Sequence, residues 1–311
     1  MQNKKVVFVL GAGASHSYGY PLGYELVESI VTKFNPSDSL FNLAEVEIFK
    51  KTLQQSKLPS IDAFLEKAEN FKEDIPYSKI GRYAIALDLI KREKLNNLFK
   101  FGINEDLYGY LWSNIYRHYS ALWDGRIAFI TFNYDLSLEQ FFYTVLKKSL
   151  YGNALSTEQE KELKNNVMSI PIIHVYGTLG FLKWQNNVNH AREYEGKKEV
   201  FTRPGYVQAA ADAIKIMRNE EEETDNLKEA RKLLKEANYV CFLGFGYDEI
   251  NLKRLKVKEI LKPGQNIMGT AYGLGEGQKA TIKAYLDHKI KIFGGEKEGN
   301  VSFLKRVFTY F

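Results

Sequence analysis

Four short stretches set glycine or polar residues at the exit of an apolar run, and each has residue types suited to ligand chemistry. In the first, Val6, Val7, Phe8, Val9 and Leu10 lead straight into Gly11, Ala12, Gly13, Ala14 and Ser15. Two glycines in so short a turn let the backbone approach another molecule without side-chain hindrance. A helix starting after the turn would aim free N–H groups at an anion, and a dinucleotide pyrophosphate is the commonest anion held this way. The third glycine of the usual dinucleotide fingerprint is replaced by His16, and no Lys-Ser or Lys-Thr pair makes a nucleoside-triphosphate loop. Tight strand-to-helix packing explains the same glycines equally well, so the loop stands as a phosphate-site candidate.

The second stretch, "RIAFITFNYDLSLEQFF", carries Asn133 and Asp135 two positions apart, on the same side if the strand continues. Asp135 reads equally as a cap for the following helix. In "SIPIIHVYGTLG", His174 and Tyr176 share a face by strand alternation and Gly177 lets the chain turn away. A histidine in an apolar run is usually a core residue, yet His174 stands where a sheet would open and is the best-placed candidate base of the five. The fourth stretch, "YVCFLGFGYDEINLKRL", exits through Gly244 and Gly246 towards Asp248 and Asn251. Proximity to a ligand or a tight turn would each explain the glycines, and Asp248 reads as a helix N-cap.

The elements that must position these residues follow from periodicity. Short apolar runs predict strands at 5–10, 126–131, 170–176, 238–244, 265–271 and 289–293, with helical patterns between most of them. That alternation predicts an α/β doubly wound, Rossmann-like parallel sheet. The interval 24–122 is far longer than a simple crossover and holds "GYELVESIVTKF", "SIDAFLEKAENF", "YSKIGRYAIALDLIKREKL" and "EDLYGYLWSNIYRHYSALW", each with apolar residues at helical spacing. An α-helical insertion after the first strand, within one domain spanning 1–311, is the economical reading. Residues 185–205 read as a loop or hairpin at the sheet rim, and "NEEEETDNLKEARKLLKEA" as an acidic, solvated start to an amphipathic helix.

Composition narrows the function classes. Hydrophobic residues make up 45% and charged residues 26% of the 311, as in ordinary globular proteins with ample core. The first apolar run is too short for a secretory segment and no later one is long enough to cross a bilayer, so a cytoplasmic protein without a membrane partner is expected. A net charge of +5 with no dense basic patch gives nucleic-acid binding no support. The single cysteine, Cys241, excludes an internal disulfide and any multi-cysteine zinc module, and its apolar surroundings mark it as a core thiol.

Taken in order, GAGAS, the TFNYD strand end, the His-x-x-Gly strand end and the "LGFGYDEIN" turn resemble the sirtuin superfamily. More narrowly, with its "GYPLG" and "SIDAFL" segments, the chain is similar to the zinc-free bacterial sirtuin-like proteins of antiphage defence. The resemblance implies NAD⁺ as substrate at the carboxyl edge of the sheet, cleaved at the nicotinamide–ribose bond, with no metal. It implies that Gly11, Ala12, Gly13 and Ser15 cradle the pyrophosphate and that Asn133 and Asp135 hold the ribose and nicotinamide end. Gly244, Phe245 and Gly246 would line the adenosine side. Asn133 and His174 would be the catalytic pair, His174 as the base. Aligning on Gly177 instead puts Tyr176 where many sirtuins carry the catalytic histidine, so Tyr176 is retained as a contact to the nucleotide.

Deacylation is disfavoured, because one cysteine cannot supply the four-cysteine zinc module of the deacetylases and Leu22-Gly23 replaces their Asp-Phe-Arg. The expected activity is therefore NAD⁺ hydrolysis to nicotinamide and ADP-ribose, linear or cyclised, in bacterial defence. Such an activity needs restraint, by homo-oligomerisation or by a separate defence partner protein. The alternatives are a non-catalytic NAD⁺ or ADP-ribose binding module, and a zinc-free deacylase or ADP-ribosyltransferase.

Overall fold

Apolar runs of three to five residues become parallel strands here, and the central ones are covered on both faces. In the computed structural model, which describes residues 4–36, 40–102, 105–185, 188–195, 200–201, 204–217 and 222–307, they assemble into one six-stranded sheet. The strands are β1 (Val6–Leu10), β2 (Ile127–Thr131), β3 (Ile172–His174), β4 (Tyr239–Leu243), β5 (Asn266–Gly269) and β6 (Ile290–Phe293). Every pairing is parallel and the order is β3-β2-β1-β4-β5-β6. This is the doubly wound Rossmann order, in which the strand sequence reverses beside β1 and leaves a crevice at the carboxyl ends of β1 and β4. Every residue of β1, β2 and β4 is buried, which explains why these segments read as continuous apolar runs and not as alternating ones.

Each strand is shorter than its apolar run. β2 stops at Thr131 and β3 at His174, so Asn133, Asp135 and Tyr176 lie in turns beyond the sheet and strand alternation does not orient them. The helix expected directly after the glycine turn is also displaced. Two 3₁₀ turns, Ala12–Ala14 and His16–Tyr18, come first, and the α-helix begins at Gly23, after Gly19 has turned the chain at φ 92°.

The long interval between β1 and β2 is helical, with Gly23–Lys33, Leu43–Ser56, Ile61–Ala68, Tyr77–Arg92 and Leu107–Ile115 as its main helices. Leu43–Ser56 has no counterpart among the sequence patterns; Asn42 caps it by accepting from Ala44 N, and Val46, Phe49 and Leu53 form its buried stripe. Two links dock this layer on the strand ends. The Tyr134 hydroxyl donates to Asp62 Oδ1, and Arg254 bridges Glu66, at 3.1 Å, and the Tyr176 hydroxyl, at 2.7 Å.

Residues 185–205 are not a hairpin where they are described: Leu182 and Arg192 form a single parallel bridge, and the helix Pro204–Ala213 takes the end of the interval. Residues 186–187, 196–199 and 202–203 of that interval, and 219–221 of the acidic stretch, lie outside the described residues. The amphipathic helix itself is present as Asp225–Glu236, capped by Thr224. No helix among the described residues is long and apolar enough to cross a membrane.

Candidate functional site

The two glycine turns at the ends of β1 and β4 meet each other. Gly11 N donates to Leu243 O at 3.1 Å and Gly13 N to Gly244 O at 3.0 Å. A Cβ on Gly11 would lie 2.6 Å from Gly244 O, and one on Gly244, where φ is 56°, would lie 2.2 Å from Ala14 N. The packing of two backbones therefore accounts for these three glycines, and the Gly11 and Gly13 amides already have acceptors within the protein. Whatever the turn offers a ligand comes from its other groups and from the close approach that the crossing permits.

Asn133 clasps this turn from the β2 side. Its Nδ2 donates to Gly11 O at 3.0 Å and to Ser15 Oγ at 3.2 Å. A carbonyl can only accept, so Gly11 O fixes which end of the Asn133 amide is the nitrogen. Oδ1 is left without a donor among the described residues on a half-buried side chain.

Behind Asn133 lies His174, 6% exposed and engaged at both ring nitrogens. Nδ1 donates to the Asn133 carbonyl at 2.8 Å, and Nε2 pairs with Glu139 Oε1 at 2.6 Å. Burial disfavours a charged ring, but the Glu139 carboxylate, helped by the Asn133 carbonyl and Asp135, outweighs it and holds the histidine above its ordinary pKa. In this arrangement His174 has no free lone pair with which to take a substrate proton. It orders the backbone of Asn133 instead. The sequence marks Glu139 only as a carboxylate set among Leu138, Phe141 and Phe142.

A pH dependence follows. The pair stabilises the fold fully below the unfolded histidine value of about 6.5 and loses this effect as pH rises through the higher folded value. Glu139→Gln should cost about 2 kcal/mol at pH 6 and much less at pH 9 in denaturant unfolding. A cost that does not change with pH would show that the ion pair is absent in solution.

Asp135 serves as the alternative reading expected: Oδ1 accepts from Ser137 N at 3.1 Å and from the Ser137 hydroxyl at the start of the helix Ser137–Tyr151. It is 6% exposed, and burial raises its pKa against the pull of those bonds. Around it lies a buried polar cluster, with the Tyr20 and Tyr194 hydroxyls 2.7 Å apart and Arg192 paired with Glu93 at 2.6 Å. Burial pushes the Glu93 carboxyl up to about 8 although Arg192 pulls it down.

Tyr176 is buried with its hydroxyl donating to Asn251 Oδ1 and accepting from Arg254. Burial raises this hydroxyl far above the usual tyrosine value, so it does not titrate near neutral pH. Phe132 packs on both Tyr176 and Phe245, making an aromatic wall along the ends of β2, β3 and β4. His174 and Tyr176 thus point to different neighbours. Asp248 caps the helix Glu249–Arg254 by accepting from Ile250 N and Asn251 N, and no Cβ placed on Gly246 would meet another atom within 4 Å.

A cavity of about 270 Å³ opens at the carboxyl ends of β1, β4 and β5. Gly13 and Gly244 form its floor, and Thr270, Tyr272, Asn300 and Glu105 its sides. Thr270 Oγ1 accepts from Gly244 N at 2.9 Å, and Asn300 Nδ2 donates to Gly13 O at 3.0 Å. The Asn300 Oδ1 atom is buried with no donor among the described residues. None of these four wall residues stood out in the sequence, since they come from three separate parts of the chain.

Among the described residues no group of three or more His, Cys, Asp or Glu side chains is arranged to hold a metal ion. No family model and no curated protein matches the chain. Among solved structures, the fold is similar to that of a Sir2 mutant with a p53 peptide and NAD, over 99% of this chain and 94% of the other, at 15% sequence identity and a TM-score of 0.38. At that identity and score the likeness assigns no role to any residue, and the sheet topology and site geometry carry the reading.

Proposed function

We propose that this chain binds NAD⁺ across the β1–β4 crevice and hydrolyses its nicotinamide–ribose bond, in the manner of the sirtuin-like defence proteins its motifs resemble. The observation that carries the reading is the cavity at the ends of β1, β4 and β5, continuous with a glycine turn that Asn133 clasps from the β2 side. A dinucleotide laid over the crossing of the two turns has its adenosine in that cavity and its nicotinamide ribose towards Asn133.

The reaction converts NAD⁺ and water into nicotinamide, ADP-ribose and a proton. As the C–N bond breaks, its electron pair leaves with nicotinamide and positive charge develops on the ribose, as in other oxocarbenium-like glycosyl transfers. Asn133 Oδ1 is an acceptor dipole held in place before the reaction, which is the form of electrostatic help that costs no reorganisation. His174 acts through Asn133 as a positioning residue, a role that suits its engaged ring nitrogens better than that of a free base. In a cell the activity would deplete NAD⁺ on infection, under the restraint of self-assembly or of a partner protein.

The engagement of both His174 and Tyr176 favours a second reading, a module that binds NAD⁺ or ADP-ribose without turning it over. Incubating purified protein with NAD⁺ and following nicotinamide release beside ADP-ribose binding separates the two. Turnover supports the hydrolase, binding without turnover across dilute and concentrated samples supports the module, and absence of both overturns each of them.

A further inference from the structure

We propose that Glu105 makes this site selective for NAD⁺ over NADP⁺, its carboxylate rejecting a 2′-phosphate on the adenosine ribose. The inference rests on the NAD⁺ reading above and names the residue that sets its substrate. Glu105 lines the cavity beside Thr270, Tyr272 and Asn300, although it comes from the helical interval and not from a strand end. In Rossmann sheets an acidic side chain commonly takes the ribose 2′-hydroxyl, whereas an arginine accommodates a 2′-phosphate. The acid in the turn after β2, Asp135, is buried and already caps the helix Ser137–Tyr151.

The Glu105 carboxylate is built into its place. Its Oε2 accepts from Val301 N at 3.0 Å, at the start of the helix Asn300–Val307. A Cβ on Gly299 would lie 2.4 Å from Oε1, so the chain passes Glu105 at a point where only a glycine leaves room for it. That contact also places a negative charge where the helix end would otherwise attract phosphate. No lysine or arginine is among the described residues lining the cavity, and the one histidine there, His16, faces Glu25 Oε2 at 3.3 Å. A 2′-phosphate would therefore meet a carboxylate with no cation to offset it, an arrangement that discriminates by repulsion. Tyr272, 71% exposed at the cavity wall, supplies an aromatic face for the base, which both dinucleotides share.

The test is calorimetric titration of the full chain with NAD⁺ and NADP⁺, and with ADP-ribose and its 2′-phosphate to exclude turnover. Wild type should bind the unphosphorylated member of each pair at least about tenfold more tightly. Glu105→Gln keeps an acceptor for Val301 N and removes only the charge, so it should narrow the gap to about threefold or less, mainly by improving the phosphorylated ligands. Tyr272→Ala should weaken all four alike. Equal wild-type affinities within each pair overturn the proposal for Glu105 and leave the NAD⁺ reading intact, and this comparison needs no variant. A gap unchanged in Glu105→Gln, or abolished by Tyr272→Ala, also overturns it. If folded wild type binds none of the four, the NAD⁺ reading falls with it.

Discussion

Asn133→Ala is expected to lower nicotinamide release from NAD⁺ by about 10²–10³-fold, the usual cost of losing one preorganised polar group at a developing charge. The substitution removes the Oδ1 dipole and both bonds of Nδ2, to Gly11 O and Ser15 Oγ, so the glycine turn loses its clasp at the same time. Asn133→Asp separates these effects from side-chain volume. An aspartate of the same size has no N–H to give, and its carboxylate would face the Gly11 carbonyl, oxygen against oxygen. It keeps an acceptor oxygen but loses both bonds of Nδ2, so its turnover should lie between wild type and the alanine variant. Both should remain folded, since the lost bonds are worth only about 1–2 kcal/mol of stability. Nicotinamide release measured beside thermal unfolding decides the matter, and turnover within tenfold of wild type in Asn133→Ala would remove Asn133 from the chemistry.

Arg192→Ala should destabilise the fold by about 3–5 kcal/mol, because it leaves the fully buried Glu93 carboxyl without its partner. Arg192 and Glu93 are 2% and 0% exposed, and Glu93 Oε2 with Arg192 Nε and Nη1 already lack partners among the described residues, so nothing nearby substitutes. The pH dependence has a definite sign. Glu93 is raised by burial to about 8, so the folded state holds a proton that the unfolded state releases above about 4.5. Its contribution is present below about 4.5 and is lost as pH rises through about 8, and removing Arg192 extends that loss to higher pH. Denaturant unfolding at pH 6 and pH 9 should therefore show the larger deficit at pH 9. The paired change Glu93→Leu with Arg192→Met should recover much of it, since an apolar pair needs no desolvation. A single-variant loss below about 1 kcal/mol would mean that water reaches the cluster.

Much of the fold is legible in the sequence. Each of the six apolar runs became a strand of the parallel sheet, and the long interval between the first two became helices, because hydrophobic period is local information. Strand ends were less legible: His174 and Tyr176 share a face only in a strand that continues, and β3 stops at His174. In the candidate site, Asp135 and Asp248 were readable as helix caps, since a cap depends on residues two or three positions away.

Local sequence specifies the strands, the polar residues at their carboxyl ends, and the glycines wherever backbone must pass close to something. What the backbone passes is set by the packing of distant segments. Gly11 and Gly13 pass Gly244, a residue more than two hundred positions away. His174 is turned inward because Glu139 and the Asn133 carbonyl take its two nitrogens. The cavity owes its walls to Glu105, Thr270, Tyr272 and Asn300, of which Asn300 bonds Gly13 across 287 positions of sequence. Periodicity and capping are set by neighbours along the chain, whereas the partner of a buried polar group is whichever group the packing of distant elements brings within about 3 Å of it.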